Sequence, residues 1–187
     1  MRINLKKFKI VKSTNDTALK LIKKNISKPT LIMSERQTGG RGRIGKKWIS
    51  KKGNLFISIF FRLNQKKINF KQFAVLNAFL IKKIISNKIS KKIKIKWPND
   101  LLYKKDKFCG ILQEVIKFNK FDFLIVGIGL NTNVAPQNKS FKSTSLKNIV
   151  KKNISNQKIL KSIIKAYEKF LKDAEIKSFS ELKRKYK

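Results

Sequence analysis

Strand-like segments fill the first two thirds of this chain and helical ones its last third, an order that few architectures allow. Residues 54–62 (NLFISIFFR) form an apolar run of strand length. Residues 107–118 and 121–130 are two more, joined by a short polar link, which predicts a hairpin. Residues 30–35 (TLIMSE) and the weakly alternating stretch around Phe8 and Ile10 read as further strands, and Ile93 and Ile95 alternate with lysines. Ser13-Thr14-Asn15-Asp16 are cap-type residues that open an amphipathic stretch at Ala18, Leu19, Leu21 and Ile22. Residues 70–90 have helical spacing at Phe73, Leu76, Leu80, Ile84 and Ile85. Residues 133–144 are polar, contain Pro136 and read as a loop. From Ser145 onward the pattern is helical, with Ile159, Ile163, Ile164, Tyr167, Phe170 and Leu171 on one face. No internal repeat and no separating linker is visible. The expectation is one α+β domain over residues 1–187, a mixed, largely antiparallel sheet backed by helices.

Composition removes several chemistries. The chain has no histidine, so a His-based triad, a His-ligated metal and a His proton shuttle are excluded. Its single cysteine, Cys109, cannot form an internal disulfide, which suits a reducing compartment. No uncharged run approaches the roughly 18 residues of a membrane span, and the N-terminus lacks the apolar core of a secretory signal, so a cytoplasmic location is expected. Cys109 is expected to be packed and inert.

The net charge of +37 suggests a nucleic-acid binder. Only six of the 47 basic residues are arginine, however, and Lys, Ile and Asn together make up 83 of 187 residues. Those three share A/T-rich codons, and the lysines are spread along the whole length. Compositional drift therefore accounts for most of the charge. No specific nucleic-acid site and no membrane are expected, only weak, salt-sensitive binding to polyanions. Against this background, retained Arg, acid, Gly and Trp residues are informative.

Four constellations stand out. Gly39-Gly40-Arg41-Gly42-Arg43-Ile44-Gly45-Lys46-Lys47-Trp48 gathers two of the six arginines in a segment, 36–53, that holds five of the eight glycines. Glycines let backbone N–H groups converge on an anion, and Arg adds bidentate charge. The frame Gly40-x-x-x-x-Gly45-Lys46 mimics a phosphate loop, but Lys47 replaces the hydroxyl residue and a strand follows where a helix is needed. Lys96-Trp97-Pro98-Asn99-Asp100 is followed by Lys107-Phe108-Cys109-Gly110-Ile111-Leu112. Asp100 either caps the bend or reaches a ligand or Mg²⁺. The seven residues to Lys107 are enough for a strand, a turn and a return that points Lys107 at the same place. Gly127-Ile128-Gly129-Leu130-Asn131 ends an apolar strand, where glycines admit a flat ligand and Asn131 can offer both donor and acceptor to adenine. Ser13-Thr14-Asn15 is a helix cap whose polar groups can hold a small head group.

In this order the four resemble the catalytic domain of biotin–protein ligases, whose pattern runs S-T-N, G-R-G-R-x-G-x-x-W, K-W-P-N-D with a later K-x-x-G-I-L, and G-I-G-x-N. The resemblance covers roughly residues 8–175. It implies the biotinyl/lipoyl ligase fold, which is like class II aminoacyl-tRNA synthetases. It also implies an ATP- and Mg²⁺-dependent reaction in which biotin becomes biotinyl-5′-AMP and then passes to a lysine of a biotin carboxyl carrier protein. By that resemblance Ser13, Thr14, Asn15, Gln37, Gly40, Arg41, Lys107 and Gly110 bind biotin. Arg41, Gly42, Arg43, Trp48, Asn99 and Asn131 bind ATP or the adenylate. Arg43, Lys107 and Asp100 carry the chemistry, with Asp100 on the metal–phosphate side. Trp48 either supports the triphosphate or packs in the core. The family's N-terminal winged-helix domain and small C-terminal β-barrel-like domain are both expected to be absent. A lipoate–protein ligase or octanoyltransferase of the same fold, and a basic nucleic-acid-binding protein, are the competing readings.

Overall fold

In the computed structural model, which describes residues 1–137 and 142–187, the first turn of the chain's first helix is built as its cap predicts. Ser13 accepts from the backbone N–H of Asp16 (3.3 Å), and α1 runs Thr14–Lys23 with an acid in its first turn and lysines in its last. Before it lies β1 (Asn4–Val11), and after it β2 (Thr30–Gln37) and β3 (Leu55–Arg62). All of β3 except Arg62 is buried. It is a strand covered on both faces, which is why its sequence is apolar without alternation.

Helix α2 (Phe70–Ser86) opens on a reciprocal cap between Asn69 and Gln72. It stops four residues short of the expected end, because Lys88 and Ile89 both donate back to the carbonyl of Ile85 and close the last turn. Strands β4 (Ile93–Lys96), β5 (Asp100–Tyr103), β6 (Asp106–Phe118) and β7 (Phe121–Leu130) follow, with β6 and β7 the expected hairpin. Helices α3 (Leu146–Val150), α4 (Asn156–Ile176) and α5 (Phe179–Tyr186) complete the chain. Part of the expected 133–144 loop, residues 138–141, lies outside the described residues.

The seven strands form one sheet in the order β1-β2-β3-β7-β6-β5-β4. Only β1 and β2 pair in parallel. The larger core joins the sheet to α2, α4 and α5. A smaller one on the opposite face packs α1 (Ala18, Ile22) against Ile32, Phe60, Phe123 and Ile125. No described helix is long and apolar enough to cross a membrane.

Helix α5 is fastened by Asp173 of α4, which accepts from Tyr186 Oη (2.5 Å) and pairs with Lys185 Nζ (2.6 Å). Burial alone would raise the Asp173 carboxyl, but the hydrogen bonds from Lys185 and Tyr186 prevail and hold it below its ordinary value. A depressed folded-state value stabilises the fold above the ordinary carboxylate range, and this contribution is lost as pH falls through the folded value. Asp173→Ala is expected to cost about 1–3 kcal/mol near neutral pH, the range for stranding buried partners. Thermal unfolding at pH 7 and at about pH 2 checks it: the gap between wild type and variant should stay nearly constant down to the ordinary carboxylate range and narrow only below it.

Candidate active site

The register of the central strands builds the site on the α1 face. Ser58, Gly127 and Leu112 lie in one row across β3, β7 and β6, and Phe56, Gly129, Gly110 and Asp100 lie in the next. Side chains in such rows share a face. Lys107 reaches that face only through an irregularity. Leu101 pairs with Cys109 and Leu102 with Lys107, so one extra residue is accommodated at Phe108. Without it, an offset of three from Gly110 would turn Lys107 to the other side of the sheet. With it, Lys107 Nζ lies 2.8 Å from Asp100 Oδ1.

Above these rows is a cavity of about 590 Å³. Thirteen of the expected site residues line it: Ser13, Thr14, Asn15, Gln37, Arg41, Gly42, Arg43, Trp48, Asn99, Asp100, Lys107, Gly110 and Asn131. Gly40 stands behind the wall, its carbonyl accepting from the backbone N–H of Trp48 (2.9 Å).

One end is a neutral polar nest. Gln37 Oε1 accepts from the backbone N–H (2.8 Å) and Oγ1 (3.0 Å) of Thr14, while its Nε2 donates to Ser50 Oγ (3.1 Å). Ser58, fully buried beneath, lies 2.7 Å from Thr14 Oγ1 and 2.5 Å from Asn15 Oδ1. Asn15 Nδ2 donates to Glu114 Oε2 (2.6 Å). Such an array of fixed donors and acceptors suits a small, uncharged polar head group.

The other end is flat and cationic. Trp48 lies over Gly110 and Gly129: a Cβ on Gly129 would fall 2.3 Å from its Cε2, and one on Gly110 2.7 Å from its Cζ3. The glycines do admit a flat group, and in this structure that group is the indole, which neither fills the apolar core nor stands at a distance from the floor. Lys107 Nζ is 5.4 Å from the indole centroid. Trp48 Nε1 is buried with no hydrogen-bond partner among the described residues. Exposed Lys46, Lys47, Lys96, Lys105 and Lys142 line the mouth, and Asp100 is the one acid among the described lining residues. This excess of positive charge favours a polyanionic ligand.

Several expected roles take a narrower form. Asn131 Nδ2 donates one hydrogen bond to the Thr144 carbonyl (3.2 Å), and its buried Oδ1 has no hydrogen-bond partner among the described residues. Asp100 is engaged by the Lys107 ammonium, and no group of three His, Cys, Asp or Glu residues gathers among the described residues to hold a metal. Asn99 is stitched to β6, its carbonyl accepting from Ile111 N–H (2.8 Å) and its Nδ2 donating to the Ile111 carbonyl (3.1 Å). Its Oδ1 accepts from Arg43 Nη1 (3.1 Å), which ties the glycine-rich loop to the Trp97-Pro98 turn. Burial pushes the Cys109 thiol up, with Asp100 adding to the effect, which keeps it protonated and unreactive.

Two residues escaped the motif reading. Ser58 is the lone hydroxyl inside an apolar strand, a break in pattern that marks it. Glu114 is one of ten acids in a chain with 47 bases. That rarity was as informative at Glu114 as at Asp100.

Residues 7–131 match the model of the biotin/lipoate A/B protein ligase family. The bifunctional ligase/repressor BirA of Bacillus subtilis is 29% identical over 180 residues, 93% of this chain and 55% of that protein. The biotin–[acetyl-CoA-carboxylase] ligase of Mycobacterium tuberculosis is 30% identical over 124 residues, 62% of this chain and 44% of that one. The chain thus spans about half the length of the curated relatives it matches. The structure of biotin protein ligase from Aquifex aeolicus in complex with biotin and ATP superposes with a TM-score of 0.81 at 33% identity, covering 98% of this chain and 76% of that one. An archaeal lipoate protein ligase from Thermoplasma acidophilum shares the fold at 10% identity and a TM-score of 0.65. The motif order, the strand register that assembles it and the matched segment converge: this chain belongs to the biotin/lipoate A/B protein ligase family.

Proposed function

We propose that the chain joins biotin to ATP as biotinyl-5′-AMP, with release of pyrophosphate, and passes the biotinyl group to a lysine ε-amine of a biotin carboxyl carrier protein. The observation that carries this reading is the polarity of that cavity: a neutral hydrogen-bonding nest at Thr14, Asn15 and Gln37, and a flat, lysine-rimmed end at Trp48, Lys107 and Asn131. A ureido-type head group fits the first, a nucleotide the second. Lys107 lines the same cavity at the second end, beside Trp48 and Asp100. The relatives carry biotin and ATP together in one complex and biotinyl-5-AMP in another, the latter in a ligase from Leishmania major.

The chemistry follows from that placement. The carboxylate of biotin attacks the α-phosphate, and negative charge builds on the phosphate oxygens. Lys107 stands where an ammonium can offset it without reorganising. Asn131 Oδ1 is a fixed acceptor for the exocyclic amine of adenine. Magnesium would enter with the triphosphate. Asp100 is the single carboxylate at that end and would supply at most one ligand, a usual arrangement for this ion at nucleotides. In the second step the acceptor amine attacks the acyl carbonyl, the C–O bond to the phosphate breaks, and AMP leaves with the electron pair.

Mass spectrometry on the purified chain with ATP, Mg²⁺ and equal biotin and lipoate tests the reading. A biotinyl-AMP mass is expected. A lipoyl-AMP mass would reassign the substrate, and the absence of any adenylate would remove the reading.

Arg43 closes the glycine-rich loop onto Asn99. Arg43→Gly is expected to release adenylate to bulk solvent, where it acylates bystander amines. One charge-assisted hydrogen bond is worth about 1.5–3 kcal/mol, so labelling of an unrelated protein should rise about tenfold or more. Unchanged selectivity in a blot of biotinylated bystander would sink this role.

A further inference from the structure

Glu114 is outside the cavity wall, yet it touches two segments that form it. Its carboxylate takes both terminal nitrogens of the Arg41 guanidinium, Nη1 on Oε1 at 2.9 Å and Nη2 on Oε2 at 2.8 Å. Oε2 also accepts from Asn15 Nδ2 at 2.6 Å. Asp16 Oδ1 meets the same guanidinium at 2.9 Å. One carboxylate on β6 therefore ties the root of the glycine-rich loop to the start of α1.

An exposed ion pair is usually of little consequence, but a bidentate fork inside a network of two carboxylates is the recognised exception. The hydrogen bonds to Glu114, and secondarily its charge and that of Asp16, hold the Arg41 guanidinium above its ordinary value against the opposing effect of burial. The contact to Asn15 is also directional. A carboxylate can only accept, so it forces the amide NH₂ of Asn15 toward itself and turns Oδ1 toward Ser58 and Gly127. The side chain is thereby fixed in one of its two amide orientations.

We propose that Glu114 is a positioning residue that sets two things at once: the closed pose of residues 39–48, through Arg41, and the amide orientation of Asn15 at the head-group end. Arg41 then serves as the loop's tether, with its guanidinium committed to protein carboxylates. This rests on the adenylate-forming reading above and assigns the retention of the adenylate to a residue that does not touch it.

The loop offers its own probe, because Arg41, Arg43, Lys46 and Lys47 are trypsin sites. In Glu114→Gln, which is isosteric but cannot pair with the fork, cleavage within 41–47 is expected to quicken about tenfold, the effect of losing one charge-assisted contact. The dwell time of bound biotinyl-AMP should shorten by a similar factor, and KM for biotin should rise more than kcat falls. Arg41→Lys keeps the charge and the trypsin site but not the fork, and it should give an intermediate value in both assays. It also carries the test if Glu114→Gln does not fold. Biotinyl-AMP formation by the wild-type chain in the same reaction separates the two ideas. Its absence would refute the proposed reaction, whereas its presence with unchanged cleavage and dwell time in both variants would overturn the role of Glu114.

Discussion

Replacing Lys107 by alanine is expected to slow biotinyl-adenylate formation by about a hundredfold to a thousandfold, the range for removing one preorganised group at a site of developing charge. Two effects combine. The ammonium at the flat end of the cavity disappears, and Asp100 loses the partner held at 2.8 Å. A bare carboxylate then faces the place a triphosphate would occupy and repels it. Lys107→Ala with Asp100→Asn separates the two effects. The double variant should regain part of the lost rate at saturating Mg²⁺, where the ion enters on the triphosphate, because neutralising Asp100 removes the repulsion even though it also removes the one ligand Asp100 would give the metal. Single-turnover formation of biotinyl-AMP is the measurement. A rate unchanged in Lys107→Ala would remove the residue from the reaction altogether. Equal rates in the single and double variants would mean that Asp100 faces away from the nucleotide.

What the sequence could and could not show divides by range. Local signals were legible. Ser13 marked the start of α1, the apolar run marked β3, and the link at Asn119 and Lys120 marked the β6–β7 hairpin, where Asn119 takes a left-handed φ of 52°. The four motifs were legible too, and the structure brings all four to one cavity. The pairings between them were not. Arg41 and Glu114 are 73 positions apart, and nothing in a linear pattern says which of ten acids will meet a given arginine. The shift at Phe108 was equally hidden. Strict alternation would send Lys107 to the wrong face, and only the register with β5 shows the extra residue. Trp48 was legible as a singular residue. Its position on the floor formed by Gly110 and Gly129 required three-dimensional neighbours from two strands.

Gly127→Ala should abolish tight biotin binding while leaving most of the fold in place. A Cβ at this position would lie 2.3 Å from Asn15 Oδ1 and 3.0 Å from its Cγ. At most glycines a flexible neighbour could move aside. Here Asn15 is 3% exposed and held by Ser58 on one side and Glu114 on the other, so it cannot turn without breaking one of those hydrogen bonds. Overpacking of this kind costs about 1–3 kcal/mol, and the displaced amide would intrude on the nest formed with Thr14 and Gln37. KM for biotin is expected to rise by about a hundredfold if that cost falls mainly on the bound state. KM for ATP, read at the other end of the cavity, should change little. Asn15→Ala in the same chain gives the decisive comparison. Removing the clashing amide should return the melting temperature toward wild type, yet biotin binding should stay weak, because the group that was pushed away is now missing. Recovery of both stability and biotin affinity in the double variant would show that Asn15 fills space beside the nest and contributes no hydrogen bond to the ligand.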